Sequence, residues 1–218
     1  MARCSYGEDK VKTFDVILSA YGLGDHYRWF CLHNSSTAPY HSIYHANCMI
    51  ENCYDGAQYY NLPYSSTREL LIAAMFHDFN HSGGKLEDRG NINRALKGVS
   101  TFFAQYCKGD GGVPNLIWQC IKCTEYPFVV EPFTIEQRII RDADLMQYRY
   151  PGWLEMYETN LKKEMEVRLD KEISNSDMYW GNSRFWKSVE YFTEWGEKVH
   201  REEGIDLSRH YYLNDYEL

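Results

Sequence analysis

The chain has no long apolar run and no block of like charge. No hydrophobic stretch approaches the roughly 20 residues that a helix needs to cross a bilayer, and the opening segment MARCSYGEDK lacks the apolar core of a signal peptide. The formal net charge is −8 and no run reaches five like charges, so no broad basic surface is available for duplex nucleic acid. We therefore predict a cytoplasmic protein that binds neither a membrane nor duplex nucleic acid.

The cysteines do not form a disulfide framework. There are seven, an odd number, spread through apolar or helical context: Cys4, Cys31, Cys48, Cys53, Cys107, Cys120 and Cys123. Cys120 and Cys123 form one C-x-x-C pair, but a structural zinc site usually needs a second pair of ligands. We expect reduced thiols, with Cys120 and Cys123 packed on a helix.

Strand-like alternation is also absent, whereas helical periodicity recurs along the chain. A length of 218 residues is sufficient for one sizeable core. We predict an all-α protein with a single domain over residues 1–218. The predicted helices cover about residues 9–20, 40–60, 66–79, 91–107, 113–125, 134–147, 151–171 and 183–203.

The stretch YHSIYHANC, residues 40–48, carries two histidines in one of these predicted helices. His41 and His45 are four residues apart, so they would lie on one helix face, about 6 Å apart along the axis. Both could then face one cavity. A pair of buried histidines bonded to backbone carbonyls is the alternative, and further polar residues must decide between the two.

Further polar residues interrupt two other apolar helices. His77, Asp78 and His81 stand in FHDFNHSGG at the end of one, where a buried carboxylate is costly unless a cation pairs with it. Asp142 and Asp144 stand in IIRDADLMQ and point about 200° apart on a helix, so at most one faces the same cavity. We choose Asp144 as the ligand and Asp142 as a surface carboxylate or one that supports a ligand.

These residues predict a metal site. His45, His77, Asp78 and Asp144 supply two imidazoles and two carboxylates without a thiolate. That set suits a hard or borderline divalent ion with open, water-filled positions, and open positions are typical of catalytic sites. The alternative is a buried ion-pair network of unrelated polar residues.

The order H-x-x-x-H-A, H-D-x-x-H-x-G and A-D-L resembles the HD-domain metal-dependent phosphohydrolases, and in detail the cyclic nucleotide phosphodiesterases among them. The matching segments are HSIYHA (41–46), HDFNHSG (77–83) and ADL (143–145). The motif core covers residues 40–147, and residues 150–218 are predicted to form a helical extension. The resemblance implies an HD-type helical bundle.

The resemblance also implies roles for the motif residues. The implied ligands of a first metal ion are His45, His77, Asp78 and Asp144. Asp78 would also bridge to a second ion, His41 would protonate the leaving oxygen, and His81 would lie beside the second ion and the phosphate. Ser42 and Ser82 stand where the phosphodiesterases usually have asparagine and proline.

Two divalent ions about 3.5–4 Å apart can share a hydroxide nucleophile and bind the phosphoryl oxygens. The ions could be Mg, Mn, Zn, Fe or Co, and a small nucleotide, above all a 3′,5′-cyclic nucleotide, is the expected substrate. Candidates for phosphate contact are Lys85, Arg89, Arg94 and Lys97, although a solvated helix face explains them equally well. Candidates for stacking on a base are Tyr126, Phe128, Tyr148 and Trp153.

Three alternatives stay open. The substrate could be a nucleoside monophosphate, a triphosphate or an alarmone, although the E-D pair of alarmone hydrolases is not found just after His77 and Asp78. A mixed-valence di-iron oxygenase could use His41 and His81 as additional iron ligands. A binding module without catalysis is the third alternative. The base, the metal identity and the oligomeric state also stay open.

Overall fold

The computed structural model describes residues 8–106 and 112–203, and all regular secondary structure in these ranges is helical. The all-α prediction is confirmed. The α-helices are α1 (Glu8–Ala20), α2 (Gly24–His33), α3 (Ile43–Tyr59), α4 (Tyr64–Phe76), α5 (Asp88–Tyr106), α6 (Asn115–Cys123), α7 (Ile135–Asp144), α8 (Trp153–Glu155), α9 (Lys162–Leu169), α10 (Asn175–Ser188) and α11 (Glu194–Glu203). A 3₁₀ turn, Met146–Arg149, follows α7, and a π-helical segment, Met156–Leu161, joins α8 to α9.

Helix α4 forms the centre of the fold. Every residue of its second half, from Leu70 to Phe76, is fully buried, as expected of a helix that is apolar on all sides. Helices α2, α3, α5, α6 and α7 all contact it. The residues that follow Phe76 therefore enter the interior of the molecule, which is where His77 and Asp78 stand.

The predicted helices agree with the structure in the core and differ from it outside the core. Helix α2 was missed, because GDHYRWFCLH buries only Trp29 and Phe30 as apolar anchors and its periodicity is weak. The predicted helix 183–203 is two helices, α10 and α11, separated by residues 189–193. The predicted helix 40–60 begins only at Ile43, so His41 precedes it.

Two glycines allow close contacts that hold the site together. Gly84 has a φ of +89°, and a Cβ there would collide with the backbone carbonyl of Glu164 on α9. A Cβ on Gly98 would collide with the ring of Phe79, which lies in the turn after α4. The loop after α4 can therefore pack directly on α9 and α5.

The cysteines of the described residues are free thiols: Cys31, Cys48, Cys53, Cys120 and Cys123. Cys120 and Cys123 are buried on α6, where they pack as expected, whereas Cys4 and Cys107 lie outside the described residues. Among the described helices, none combines the length and apolar character needed to cross a membrane. The cytoplasmic location and the absence of a nucleic-acid partner stay predictions.

Candidate metal centre

Four side chains from three parts of the chain meet beyond the C-terminal end of α4. His45 comes from α3, His77 and Asp78 follow α4 directly, and Asp144 ends α7. His45 Nε2 lies 3.2 Å from Asp78 Oδ2 and 3.1 Å from Asp144 Oδ1. His77 Nε2 lies 3.0 Å from Asp78 Oδ2 and 3.0 Å from His45 Nε2. The structure thus brings together the four residues that the sequence predicts as metal ligands.

The hydrogen bond of His77 Nδ1 shows that Nε2 is the ring nitrogen that faces this cluster with a lone pair when the ring is neutral. Its Nδ1 lies 2.8 Å from the carbonyl oxygen of Ala74, which can only accept, so Nδ1 carries the proton. In the neutral ring, Nε2 then presents a lone pair to the Asp78 carboxylate, which also presents lone pairs. Asp78 Oδ2 is buried and has no hydrogen-bond partner among the described residues. Such an arrangement is repulsive without a cation, and a backbone bond at Nδ1 is typical of metal-binding histidines.

The charges of the cluster favour one positive charge within it. Burial alone would lower the pKa of His45, but the close carboxylates of Asp144 and Asp78 raise it to about 10. Burial would raise the pKa of Asp78, but the attraction of its carboxylate to the protonated forms of His77 and His41 holds it well below its usual range. A proton or a metal ion can supply the positive charge. The donor set of two imidazoles and two carboxylates fits a divalent ion with open positions.

A second cluster is formed by His41, His81 and Glu164. Glu164 comes from α9, is 4% exposed, and its Oε1 accepts hydrogen bonds from the backbone N–H groups of Tyr40 and His41. Its Oε2 lies 2.6 Å from His41 Nδ1 and 3.6 Å from His81 Nδ1. These three side chains are close enough to hold a metal ion, as are His45, His77 and Asp144.

The two histidines of the second cluster titrate in opposite directions. Burial would lower the pKa of His41, but the charge of Asp78 and the hydrogen bond with Glu164 raise it. For His81, burial and the neighbouring charge of His41 lower the pKa to about 4. The site therefore favours the protonated form of His41 and the neutral form of His81, and pKa values pushed apart in this way are typical of acid–base sites.

His41 reaches this position differently from the prediction. The sequence places His41 and His45 on one helix, but Ser42 has an extended backbone and α3 begins after it. His41 lies in the preceding bend, with ring centroids 5.7 Å from His45 and 3.9 Å from His81. The prediction of helical spacing is wrong, although both rings do face the same region.

Asp142 is neither on the surface nor in contact with a metal-ligand candidate. It is fully buried and accepts hydrogen bonds from Phe192 N at 2.8 Å and Thr193 Oγ1 at 2.6 Å, just before α11. Burial raises its pKa to about 6. Asp142 thus links α7 to the segment just before α11 through these hydrogen bonds. The prediction of a surface carboxylate or one that supports a ligand is wrong.

A cavity of about 400 Å³ adjoins both clusters. His41, His81, Asp144 and Glu164 are part of its lining, and most of the remaining lining is apolar. Its aromatic lining consists of Tyr40, Tyr126, Phe128, Trp153, Tyr157, Phe185 and Trp186. A cavity of this volume with a mostly apolar lining and a few polar groups is typical of sites that bind small molecules.

The structure does not bring the predicted phosphate contacts into this cavity. Lys85, Arg89 and Arg94 are exposed and are not part of the lining. Tyr148 is buried outside the lining, with its hydroxyl 3.4 Å from that of Tyr191. Of the predicted stacking residues, Tyr126, Phe128 and Trp153 do line the cavity. Arg168 of α9, which was not among the predicted contacts, does line the cavity.

Glu164 is the main site residue that the sequence analysis missed. It lies 123 residues from His41, in the extension that the motifs do not cover. One weak signal was available, because Glu164 is three residues after Leu161 and next to Met165, so it interrupts the apolar face of a helix.

Comparison with known proteins found no matching family model, no matching curated protein and no matching solved structure. The HD-domain resemblance therefore depends on the three motifs alone, and the HD-type bundle and the single domain stay predictions. What the structure adds is that the three motifs, far apart in sequence, meet at one buried cluster with donor atoms that can hold metal.

Proposed function

We propose that the chain is a metal-dependent phosphohydrolase of the HD type that acts on a small nucleotide, with a 3′,5′-cyclic nucleotide as the leading substrate. One observation carries the proposal: His77 Nδ1 is held by the Ala74 carbonyl and His77 Nε2 lies 3.0 Å from Asp78 Oδ2, so that a neutral His77 ring turns its lone pair towards that carboxylate, inside a cluster that also contains His45 and Asp144. A cation removes that repulsion, and the same four residue types in the same order characterise the resemblance.

The four clustered residues would hold the first ion, and Asp78 would also help to hold a second ion. When bound, such ions supply an activated water and positive charge for the phosphoryl oxygens. The residues of the chain then orient the phosphoryl group beside the cavity.

His41 would donate the proton that the leaving oxygen needs. Its Nδ1 is held by Glu164, which leaves Nε2 as the ring nitrogen that is free to reach the cavity. Its raised pKa favours the protonated ring that this role needs. Glu164 is a positioning residue in this scheme, since it orients His41 and stabilises its charge.

A substrate panel tests the proposal. Purified protein with Mn²⁺ or Mg²⁺ is incubated with cyclic nucleotides, nucleoside mono- and triphosphates and alarmones, beside an Asp78→Ala variant. Asp25→Ala is the matched control, because the Asp25 side chain is exposed on α2. We expect conversion of a 3′,5′-cyclic nucleotide to its monophosphate, lost in Asp78→Ala and kept in Asp25→Ala. Hydrolysis of a mono- or triphosphate instead would contradict the cyclic nucleotide as the substrate and keep the hydrolase. The absence of turnover with every compound would contradict the proposal as a whole.

The acid role of His41 has its own test. His41→Ala should slow the hydrolysis of a nucleotide ester by about 10²–10⁴-fold. It should slow an activated aryl phosphodiester far less, because a nitrophenolate leaves without a proton. Equal losses with both substrates would contradict the role.

A second candidate function is oxygen activation at a di-iron site. The observation that favours it is the cluster of His41, His81 and Glu164, because two histidines with one carboxylate form the usual ligand set of non-haem iron oxygenases. The candidate predicts about two irons per chain and an electron paramagnetic resonance signal on partial reduction. His41→Ala would then lose about half of the iron, whereas in the phosphohydrolase it leaves metal content unchanged.

A further inference from the structure

Aliphatic side chains from separate parts of the chain line the cavity. Leu86 lies in the loop between α4 and α5, and Leu145 lies between α7 and the 3₁₀ turn. Leu161 ends the π-helical segment, and Met165 belongs to α9. Aliphatic side chains, above all that of methionine, adapt to an apolar ligand without hydrogen bonding to it. Much of the wall therefore offers van der Waals contact rather than hydrogen bonds.

Two polar side chains of the wall already have partners within the protein. Asn91 accepts a hydrogen bond from the backbone N–H of Ser82 at 3.0 Å, and its Nδ2 lies 2.8 Å from His81 Nε2. The Thr124 hydroxyl donates to the carbonyl of Ile121 at 2.9 Å. Neither side chain needs a ligand to satisfy its hydrogen bonds, so the apolar surface is what this part of the wall offers.

The apolar lining reaches the surface of the molecule. Three lining residues are substantially exposed: Leu86 (42%), Tyr126 (52%) and Phe128 (43%). Val129, the next residue along the same loop, is 65% exposed. Single exposed apolar side chains are ordinary, but a group that continues the lining of a cavity is typical of a ligand-binding groove. We call these four residues the apolar rim.

Charged side chains of the lining are concentrated in the two clusters of the metal centre. Outside the clusters, the charged residues of the described lining are Asp88 and the exposed Arg168. An anionic group can find partners at the metal centre, whereas a second charge on the apolar lining would lose its water without gaining a partner. The cavity therefore suits a molecule that is charged at one end and apolar along the rest.

We propose that the cavity binds phosphoesters of unbranched apolar alcohols, with the phosphoryl group at the metal centre and the chain on the apolar lining as far as the apolar rim. This substrate class goes beyond the nucleotides of the proposed function. The phosphoryl part rests on the proposed function, whereas the chain part rests on the lining and the apolar rim. The two parts can therefore fail separately.

Hydrolysis of such an ester needs only water as a second reactant. For a monoester, the oxygen of water forms a bond to phosphorus, and the bond between phosphorus and the alkoxy oxygen breaks. The alkoxy oxygen takes the proton of His41 and leaves as the alcohol, and a proton from the attacking water restores His41. The products are inorganic phosphate and the alcohol, so the chain contributes through binding alone.

Chain length tests the proposal without turnover. Straight-chain alkylphosphonates from butyl to octyl, whose carbon–phosphorus bond this reaction does not cleave, are titrated into the protein with Mg²⁺. Calorimetry follows binding, as does the fluorescence of Trp153 and Trp186, which line the cavity. Affinity should rise about two- to fourfold with each methylene group. Octanol, which lacks the phosphoryl group, should bind about tenfold more weakly than octylphosphonate.

Polar replacements in the lining locate the chain. Leu86→Asn at the apolar rim should weaken octylphosphonate about tenfold and butylphosphonate far less, because the shorter chain does not reach the rim. Met165→Gln, which keeps nearly the same shape in the wall, should reduce the gain per methylene group. Leu32→Asn is the matched control, because Leu32 is 75% exposed on α2 outside the lining, and it should bind every probe like the unchanged protein.

Three results would overturn the proposal. The first is an affinity that does not rise from butyl to octyl, and the second is unchanged octylphosphonate binding in both Leu86→Asn and Met165→Gln. The third is octanol binding as tightly as octylphosphonate, which would remove the phosphoryl group from the metal centre.

Turnover separates this inference from the proposed function. Release of phosphate from octyl phosphate, faster than from butyl phosphate at low concentrations of both, would support the two together. If a cyclic nucleotide is hydrolysed but the alkyl series shows no dependence on chain length, the inference fails and the proposed function stands. If affinity depends on chain length but no ester is hydrolysed, the phosphohydrolase proposal fails and the apolar binding site remains.

Discussion

At the residue scale, the hydrogen bond from His77 Nδ1 to the Ala74 carbonyl determines how the stability of the cluster around His77 and Asp78 should change when metal binds. It orients the His77 lone pair towards Asp78, so an ion relieves a repulsion that folding has built in. At a metal concentration 100 times Kd, the folded state gains about 2.7 kcal/mol. For a chain of this size, that gain corresponds to a rise in Tm of about 5–10 °C.

We expect Mn²⁺ or Zn²⁺ to raise the Tm of the protein and a chelator to reverse the rise. Asp78→Ala should abolish the shift, whereas Asp25→Ala should keep it. Differential scanning calorimetry with and without chelator makes the measurement. A full shift in Asp78→Ala would mean that the ions bind elsewhere.

Asp78 and Glu164 both raise the pKa of His41, and the share of Glu164 has a consequence for the pH dependence of the reaction. A general acid must be protonated, so turnover falls as pH rises through the pKa of His41. The hydrogen bond with Glu164 raises that pKa. Glu164→Gln removes the negative charge and lowers the pKa, so the alkaline limb of the pH profile of kcat should move to lower pH. Glu158→Gln, at an exposed residue of the π-helical segment, is the control, and an unmoved limb would exclude the role of Glu164.

The residues of the site differ in how well the sequence alone predicts them. His45, His77, Asp78 and Asp144 were predictable because each interrupts an apolar segment with a group that is costly to bury alone. Glu164 was not, because a single glutamate 123 residues from its partner resembles an ordinary surface residue. Lys85, Arg89 and Arg94 were chosen for their proximity in sequence, and the structure leaves all three exposed.

At the scale of elements, the sequence predicts a helix where burial of an apolar segment determines it. It does not predict where a helix begins or ends when contacts with distant residues determine the terminus. The apolar segment of α4 specifies a buried helix. In contrast, the start of α3 depends on the extended backbone at Ser42, and the break between α10 and α11 depends on hydrogen bonds to Asp142. Such contacts come from distant segments, so local periodicity does not contain them.

Gly84 is the point where two elements meet, and it offers a test of this packing. A Cβ at Gly84 would collide with the Glu164 carbonyl, and its φ of +89° is unfavourable for other residues. We expect Gly84→Ala to lower the free energy of unfolding by about 1–3 kcal/mol and to reduce turnover by displacing Glu164.

Denaturant unfolding measures the first effect and steady-state kinetics the second. Gly181→Ala on α10 is the control, because a Cβ there meets no atom within 4 Å. An alanine in a helix should leave stability equal or higher by about 0.5–1 kcal/mol. Full stability and activity in Gly84→Ala would contradict the close contact between the loop after α4 and α9.

At the scale of the whole molecule, the extension after residue 150 belongs to the same core as the motifs. Trp195 is 3% exposed and packs near Ile139 and Gly56, between α11 and the two helices that carry metal-ligand candidates. Asp142 is buried with its hydrogen bonds to Phe192 and Thr193, and removing them leaves an unpaired carboxylate in the interior. The motif segment is therefore dependent on its extension.

A chain that ends at Tyr150 should consequently fail to unfold cooperatively. It loses Trp195, and the loss of one large buried side chain lowers the free energy of unfolding by about 3–5 kcal/mol. The buried carboxylate of Asp142, left without its hydrogen bonds, lowers it further. It also loses Glu164. The 218-residue Asp78→Ala variant is the informative control, because it lacks a metal-ligand candidate but keeps the packing and should still unfold in one cooperative step. Thermal unfolding followed by circular dichroism distinguishes the two, and a cooperative transition in the shortened chain would show that residues 40–147 fold without their extension.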